Sequence, residues 1–434
     1  MKRGMFFWFL ALMFCAVSCA DNANFESENA QIEKREQLRE KLSHEVTQAE
    51  ARENLEKFLL EMKIPSTRGG DAMQLPPITS VYTRGKATLA TRAGEAVEPY
   101  FHIFNFGDNE GFAIMSGDDR VEPLLALTFK GELTPETEID NPGFEFAYEK
   151  MEEYYIARIG VTDTIPSIGF DDPFPPRDSI ELSEPDLPVR YEEEDSLIYH
   201  EMVYGYCPAN WHQDTPYNNF CKTKDGEMAK AGCAAISVGQ LMTIYRHPSN
   251  YDVYTFDWNE IRKTTPNNYG TAQIARLIQM LGLKRNLNIK YGVNSSGAEP
   301  ERIPITLQNF GYANGGTLID YDSGAVIGEL RNGYPVLLGG HSTEGGHSWL
   351  AHGLLEARRN HIGYNEMDEI VQYYSFFEGY YLLFNWGFRG EDDGFFLSGI
   401  FDANTPPAYP NPTRSTQDLN FSRRMTAIVG IRRN

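Results

Sequence analysis

The sequence is poor in basic residues, in long hydrophobic runs and in cysteine. Each of these shortages limits the classes of function that the protein can have. Its 39 lysines and arginines stand against 61 acidic residues, so the formal net charge is −22. Such a chain repels nucleic-acid phosphate, and no basic patch with interleaved aromatic residues is present. Beyond residue 19 no run is long and apolar enough for a transmembrane helix. These shortages argue against nucleic-acid binding and against a membrane-spanning body.

Recognisable metal-binding motifs are also lacking. His341, His347 and His352 lie close together in sequence, but no His-Glu-x-x-His pattern exists and no acidic residue is spaced to complete a site. We therefore expect no metal and no organic cofactor.

Cysteine occurs five times, and three of these residues lie in the body of the chain. Cys207 and Cys221 are 14 positions apart (221 − 207) in one loop-rich stretch. A disulfide between them would suit an oxidising compartment and leave Cys233 as a free thiol. Two reduced, partly buried cysteines are the alternative, and the sequence leaves both interpretations open.

Cys233 lies where a glycine loop changes into an apolar helix. Gly232 precedes it, Ala235, Ile236 and Leu241 supply an apolar face, and Pro248 ends the pattern. The spacing predicts Cys233 in the first helical turn, where free N–H groups and the helix dipole favour a thiolate. The alternative is a small buried cysteine that packs like alanine.

A histidine that also follows a glycine loop lies far downstream of Cys233. His347 enters a strand-like segment from Gly345-Gly346, and a second apolar strand ends in Asn385-Trp386-Gly387. A cysteine peptidase needs an imidazole to take the thiol proton and a side chain to orient that ring. Cys, His and Asn in this order are expected of a papain-like site.

These motifs, and others in the same order, resemble the streptopain-type cysteine peptidases, a family of papain-like zymogens. The matching segments are Trp211-His212-Gln213, Gly232-Cys233-Ala234-Ala235, Phe256-Asp257-Trp258-Asn259, Tyr291-Gly292, Ser295-Ser296-Gly297, Gly345-Gly346-His347, Asn385-Trp386-Gly387, Asp393-Gly394-Phe395-Phe396 and Ala427-Ile428-Val429-Gly430-Ile431.

The resemblance implies a role for each site residue. Cys233 would be the nucleophile, His347 the general base and then acid, and Asn385 the orienting residue. Gln213 would donate to the oxyanion, and Trp386 would shield the bond between histidine and asparagine from water. Substrate would be bound by four further residues, namely Ser295, Ser296, Gly297 and Gly346.

The N-terminal residues predict an export signal. A basic start and a short apolar run ending at Val17 are typical of a signal peptide, and the residues up to Cys19 resemble a bacterial lipobox. We predict a signal peptide over 1–18, lipidation of Cys19 and a polar tether over 19–46, with an ordinary cleaved signal as the alternative. The protein would then be an exported lipoprotein of the cell envelope.

Between the tether and the peptidase the sequence predicts a small α+β unit over 47–160, which resembles the streptopain prodomain. Thr47 and Glu50 have capping-box spacing, and strand patterns and a helical pattern follow. Residues 66–96 are predicted to form a loop. Residues 161–200 are rich in proline and acidic residues, which predicts a linker without regular structure. We expect activation cleavage between Arg158 and Tyr206.

The fold class predicted for 201–434 is α+β, with a helical half facing a β-rich half. The function predicted is a lipid-anchored cysteine endopeptidase, made as a zymogen, that acts on protein or peptide substrates and is inhibited by its own prodomain. A binding or inhibitor protein that keeps an inactive peptidase fold is the alternative, and an acyl transferase or a processing hydrolase on the same site is a third.

Overall fold

The computed structural model describes residues 44–62, 77–87, 97–162, 190–204, 207–341, 346–364, 370–402 and 425–433. The predicted signal peptide and the lipidation site at Cys19 lie outside these residues. From Val46 onward the chain forms one compact unit. Among the described residues, no helix combines the length and hydrophobicity that a membrane span requires.

The described residues of the first part of this unit form two helices and four strands. In chain order they are α1 (Gln48–Glu61), β1 (Ile78–Ala87), β2 (Val97–Phe106), β3 (Phe112–Ser116), β4 (Leu124–Thr128) and α2 (Pro142–Thr162). The capping box predicted at Thr47 is confirmed, because its hydroxyl accepts from the Glu50 N–H and the Glu50 carboxylate accepts from the Thr47 N–H. The strand patterns and the helical pattern predicted after this helix are likewise confirmed, as β2 to β4 and α2.

Two segments expected to lack regular structure form strands instead. Within 66–96, β1 pairs antiparallel with β2. Within the predicted linker, β5 (Arg190–Tyr204) pairs antiparallel with a long strand of the second part. Both predictions were wrong because the composition of a segment says little about a partner strand that lies far away in sequence. The rest of the predicted linker, 163–189, lies outside the described residues.

The second part begins with helices and continues into strands. Its elements are α3 (Cys233–Tyr245), β6 (Asn250–Tyr251), β7 (Tyr254–Thr255), α4 (Trp258–Ile261), α5 (Asn268–Gly282), α6 (Arg302–Asn309), β8 (Thr317–Asp320), α7 (Ser323–Arg331), β9 (Val336–His341), β10 (Gly346–Tyr364), β11 (Ile370–Asn385), β12 (Gly394–Leu397), a short 3₁₀ helix (Ser398–Phe401) and β13 (Met425–Val429). The predicted α+β class, with a helical half facing a β-rich half, is confirmed.

One antiparallel sheet runs through both parts of the molecule. Its strand order is β1-β2-β3-β4-β12-β11-β10-β9-β13-β8, and β5 adds to the far portion of β10. The two parts join where β4 pairs with β12, with Leu127 opposite Phe395. The first part therefore extends the sheet of the second, and its hydrophobic core is continuous with that of the second part.

Candidate active site

Helix α3 begins at Cys233, as the sequence predicted. Gly232 precedes it with φ +91°, a conformation that residues with a side chain rarely adopt. A Cβ there would also lie 3.3 Å from the Ile289 side chain and 3.4 Å from the Ser296 carbonyl oxygen. Glycine thus brings the chain tightly into the helix and leaves the partly buried thiol at its positive end.

The Cys233 sulfur is paired with the His347 imidazole across the boundary between α3 and β10. Burial alone would raise the pKa of Cys233, but the hydrogen bond and charge of His347 outweigh it, and the pKa lies below its ordinary value. Backbone N–H groups of Ser348 and Ala234 also donate to the sulfur. Burial alone would lower the pKa of His347, yet its contact with Cys233 raises it. The pair therefore favours a thiolate and an imidazolium.

The other side of the His347 ring faces a backbone carbonyl. Its Nε2 lies 2.9 Å from the Trp386 carbonyl oxygen. Because a carbonyl only accepts hydrogen bonds, Nε2 carries the hydrogen, and the second ring nitrogen is left to exchange a proton with the sulfur. The histidine is thereby held in the tautomer that a general base requires.

The direct orienting bond predicted from Asn385 is not formed in the structure. The Asn385 Oδ1 accepts from Gln240 Nε2 at 2.6 Å and from the Gly387 N–H at 3.0 Å, and its Nδ2 donates to the Ala209 carbonyl. The Gly387 N–H belongs to the same peptide group as the Trp386 carbonyl. Asn385 thus fixes the peptide plane that orients His347, and its action is indirect.

Trp386 is fully buried in an aromatic cluster beside His347. Its ring centroid lies 5.0 Å from those of Trp349 and Phe384, and its Nε1 donates to the Asp392 carbonyl at 2.9 Å. The indole and the imidazole both contact the same point of α2, where a Cβ on Gly143 would lie 2.7 Å from His347 Cδ2. This position of the indole agrees with the predicted shielding of the histidine, although the shielded bond goes to a carbonyl.

Gln213 lies on the loop that runs beside the approach to Cys233. Its carbonyl oxygen accepts from the Ala231 N–H at 2.9 Å, two residues before the thiol. The neighbouring His212 is half-buried, and burial, aided by the charge of Arg389, lowers its pKa to about 4. The loop is therefore anchored next to the site, and the oxyanion role of Gln213 stays a prediction.

A cavity of about 230 Å³ opens beside the Cys233–His347 pair. Gly297 and Gly346, two of the four predicted substrate residues, line it, and its apolar wall includes Ile303, Leu337 and Ile428.

Ser295 and Ser296 are not among the residues that line this cavity. The Ser296 hydroxyl turns into its own loop, where it accepts from the Gly292 N–H at 3.0 Å and donates to the Gly292 carbonyl. Ser295 is exposed. The hydroxyl of Ser296 therefore stabilises the loop that carries Gly297.

Cys207 and Cys221 are free thiols in this structure, so the disulfide considered from the sequence is not formed. The Cys207 sulfur lies 3.8 Å from the Gln240 carbonyl oxygen and 3.7 Å from Thr243 Oγ1. Cys221 is hydrogen-bonded to the Tyr291 side chain instead. Each thiol packs against its own partners, and the 14-residue spacing did not reveal this. Within the described ranges, no group of three or more His, Cys, Asp or Glu side chains is arranged to hold a metal ion.

The first part of the molecule lies directly against the site through α2 and the residues before it. Asn141 Nδ2 donates to Asp392 Oδ2 at 3.0 Å, and the Phe146 ring packs 6.0 Å from that of Trp349. Gly143 contacts His347 and Trp386 with no room for a side chain. The Cys233–His347 contact is nevertheless intact, so the first part covers a site that is already assembled.

Comparison with known proteins gives this site a family. Residues 211–396 match the family described as the peptidase C10 family. The chain carries a peptidase C10 domain. Residues 43–155 match the family described as Spi protease inhibitor. The streptopain-type resemblance, the cysteine-type peptidase class of the domain and the inhibitor-like region before it are thereby confirmed.

Individual relatives of the C10 domain are more distant. The thiol protease/hemagglutinin PrtT of Porphyromonas gingivalis is 27% identical over 191 residues, which cover 42% of this chain and 20% of that protein. The match thus spans about a fifth of the relative. A prointerpain A fragment from Prevotella intermedia covers 81% of this chain and 100% of its own, at 19% identity and a TM-score of 0.48. Active interpain A from the same organism covers 46% and 87%, at 21% identity and a TM-score of 0.33.

Several groups around the C10 site could not be found from sequence motifs. The Trp386 carbonyl and the Ser348 N–H are backbone groups, which every residue has. Ser237 had a usable signal, because it lies four positions after Cys233 and hence on the same helix face. Its hydroxyl lies 2.9 Å from that of Ser348 and so links α3 to the strand of His347.

Proposed function

We propose that this protein is a cysteine endopeptidase made as a zymogen, with Cys233 as nucleophile and His347 as general base and acid. The observation that carries the proposal is the facing pair of thiol and imidazole, in which the pKa of Cys233 is lowered and that of His347 is raised. A buried thiol and imidazole without a chemical role would both be driven toward their neutral forms by burial. The pair instead has the charge distribution of an activated nucleophile.

The proposed reaction follows from this arrangement. The thiolate attacks the carbonyl carbon of a peptide bond, and a tetrahedral intermediate forms. His347 then passes its proton to the leaving amine, the C–N bond breaks and a thioester remains on Cys233. Water, deprotonated by His347, attacks the thioester and releases the acid and the thiol. The Cys233 backbone N–H and the Gln213 side chain would donate to the oxyanion at both tetrahedral stages.

In the proposed zymogen the first part of the molecule is the inhibitor. The contact of Gly143 with His347 and the pairing of β4 with β12 support this role, because substrate must reach the same surface. Activation would require cleavage between α2 and β5. Since α2 ends at Thr162 and β5 is paired with β10 from Arg190, we place the cut between these two residues.

We further propose that the protein is exported and that lipid on Cys19 holds it in the cell envelope. The short apolar N-terminal run and the lipobox-like sequence support this proposal. Cleavage after α2 would then free the enzyme while the inhibitor stays tethered. A Cys19→Ser variant should move from the membrane fraction to the soluble fraction, and its unchanged retention in membranes would contradict the lipid anchor.

An epoxide-type thiol inhibitor tests the catalytic proposal. Activated protein should be labelled on the peptide that contains Cys233 and should lose casein hydrolysis in proportion to the label. A Cys233→Ala variant should fold, take up no label there and remain inactive. Casein cleavage by this variant at the parent rate would disprove the cysteine assignment and favour a different catalytic site. Sequencing the new N-terminus of the parent, with Cys233→Ala as control, separates self-cleavage from cleavage by another protease.

A further inference from the structure

Asp393 carries a carboxyl group that the proposed reaction does not use, and this group is hydrogen-bonded to Trp386, the residue that contacts His347. Asp393 stands between β11 and β12, and its Oδ1 accepts from the Trp386 N–H at 2.8 Å. The carbonyl of the same residue accepts from His347 at 2.9 Å. Asp393 therefore holds the N–H of Trp386, and the carbonyl of Trp386 orients the imidazole of His347.

Three hydrogen bonds hold Trp386 in addition to the one that its carbonyl accepts from His347. Its N–H bonds to Asp393, its indole Nε1 donates to the Asp392 carbonyl, and the peptide after it is held by Asn385 through the Gly387 N–H. Neither the Asn385 bond nor the indole bond involves the Trp386 backbone N–H, whose acceptor is Asp393. Without this acceptor the buried N–H would be unpaired, and the peptide would rotate to find another partner.

We propose that Asp393 is a positioning residue, which holds the Trp386 backbone so that its carbonyl orients His347 toward Cys233. This inference rests on the proposed function of the Cys233–His347 pair. Asp393 acts through Trp386 and exchanges no proton with the substrate.

The chemistry of the site indicates that Asp393 is needed as an acceptor and not as a charge. Burial, with the nearby charge of Asp392, raises the pKa of Asp393 to about 8, although the Trp386 N–H, and Lys130 in the first part, act in the opposite direction. A neutral carboxyl keeps a carbonyl oxygen that accepts from an N–H. An asparagine, which has the same oxygen, should therefore replace Asp393, whereas alanine should not.

The inhibitory part also bonds to this loop. The Phe129 N–H donates to the Asp393 carbonyl, and the Asp392 N–H donates to the Lys130 carbonyl, each at 3.0 Å. These backbone bonds support the loop in the uncut chain and are lost on activation. The contribution of the Asp393 side chain should consequently be larger after processing than before it.

The pH dependence of Cys233 alkylation by iodoacetamide tests the proposal on the full chain, before and after processing. Peptide mapping isolates the Cys233 signal, and Cys233→Ala gives the background. We compare Asp393→Ala and Asp393→Asn with the matched control Glu391→Gln, which removes a neighbouring carboxylate that pairs with Lys130. Melting temperatures establish that each variant is folded, and Asp393→Ser takes the place of the alanine variant if that one does not fold.

In Asp393→Ala the thiol pKa should rise by about one unit, which slows alkylation near pH 6 about tenfold. The turnover of the processed enzyme should fall by a similar factor, with little change in KM. Asp393→Asn and Glu391→Gln should remain within about twofold of the parent.

A folded Asp393→Ala that keeps the parent profile would overturn the proposal, as would an asparagine variant as impaired as the alanine one. An ordinary thiol pKa in the parent would overturn the proposed function itself, and the two failures are thereby distinguished.

Discussion

The two ends of helix α3 place cysteine thiols in opposite environments. At its start, Cys233 receives hydrogen bonds from His347 and from backbone N–H groups, and its pKa is lowered. Toward its other end, Cys207 packs against the Gln240 carbonyl and the Thr243 hydroxyl. Burial there raises the pKa of Cys207 to about 11.

Burial raises the pKa of both thiols, and the difference comes mainly from His347. Its hydrogen bond and charge outweigh burial at Cys233, whereas the hydrogen bonds of Cys207 to Ala209 and Thr243 do not outweigh it. N–H groups and the positive dipole are found at the N-terminal end of a helix, whereas carbonyl oxygens accumulate toward its C-terminal end. A cysteine at the first position is consequently stabilised as a thiolate, and one beside the later carbonyls stays a thiol. Each of the following variants alters one element of this comparison.

His347→Ala should have the largest effect, because it leaves Cys233 with burial and N–H donors but no cation. We expect the thiol pKa to rise and turnover to fall by about 10³-fold or more. Alkylation rates across pH 5 to 9, measured beside peptide hydrolysis, check both changes. His352→Ala, a buried histidine on the same strand, is the control. Thiol reactivity near pH 6 that survives in His347→Ala would assign the low pKa to the helix end alone.

Gln213→Ala should separate thiol activation from catalysis. The amide is predicted to donate to the oxyanion, so its loss should lower turnover by about 10²–10³-fold, or ~3–4 kcal/mol, and leave KM nearly unchanged. The pH profile of Cys233 alkylation should not move, because His347 is untouched. A change in KM with turnover preserved would instead place Gln213 in substrate contact.

Gly143→Ala should loosen the cover over the site. The new Cβ would lie 2.7 Å from His347 Cδ2, closer than real contacts allow, so the start of α2 must move away. Overpacking of this kind costs about 1–3 kcal/mol, and we expect activation to accelerate on the order of tenfold.

The activity of the processed Gly143→Ala enzyme should equal that of the parent, since the helix is then gone. Glu145→Ala, exposed on the same helix, is the control. An activation rate equal to that of the parent would show that the rings of His347 and Trp386 move to make room for the new methyl group, and that α2 keeps its position.

Sequence patterns predicted the local elements well. The capped helix at Thr47, the helix start at Cys233 and the paired strands after residue 100 depend on contacts a few residues apart, which spacing records. The strands β1 and β5 could not be predicted, because their hydrogen bonds go to partners that only the fold brings near.

The same distinction applies to the site. The thiol of Cys233 and the imidazole of His347 could be predicted as nucleophile and base from their side-chain types, and the structure brings them together. The group that orients the imidazole is a backbone carbonyl, and the prediction assigned its role to the adjacent Asn385. A family resemblance indicates that Asn385 lies near the histidine, but it does not show that the Trp386 carbonyl makes the hydrogen bond to the imidazole.

Cys207→Ala should have the smallest effect and completes the comparison at the other end of α3. The sulfur contacts Gln240, Thr243 and the Asn385 Nδ2 weakly, so truncation should cost on the order of 1 kcal/mol of stability through lost packing. Turnover and the alkylation profile of Cys233 should stay within about twofold of the parent, because Cys207 remains a neutral thiol at working pH. Thermal unfolding, peptide hydrolysis and alkylation of the native protein provide the measurements, with Cys221→Ala as a second buried thiol for reference. Rapid labelling of Cys207 in the folded parent would show that the C-terminal end of the helix also supports a thiolate, and the contrast between the two ends would then be lost.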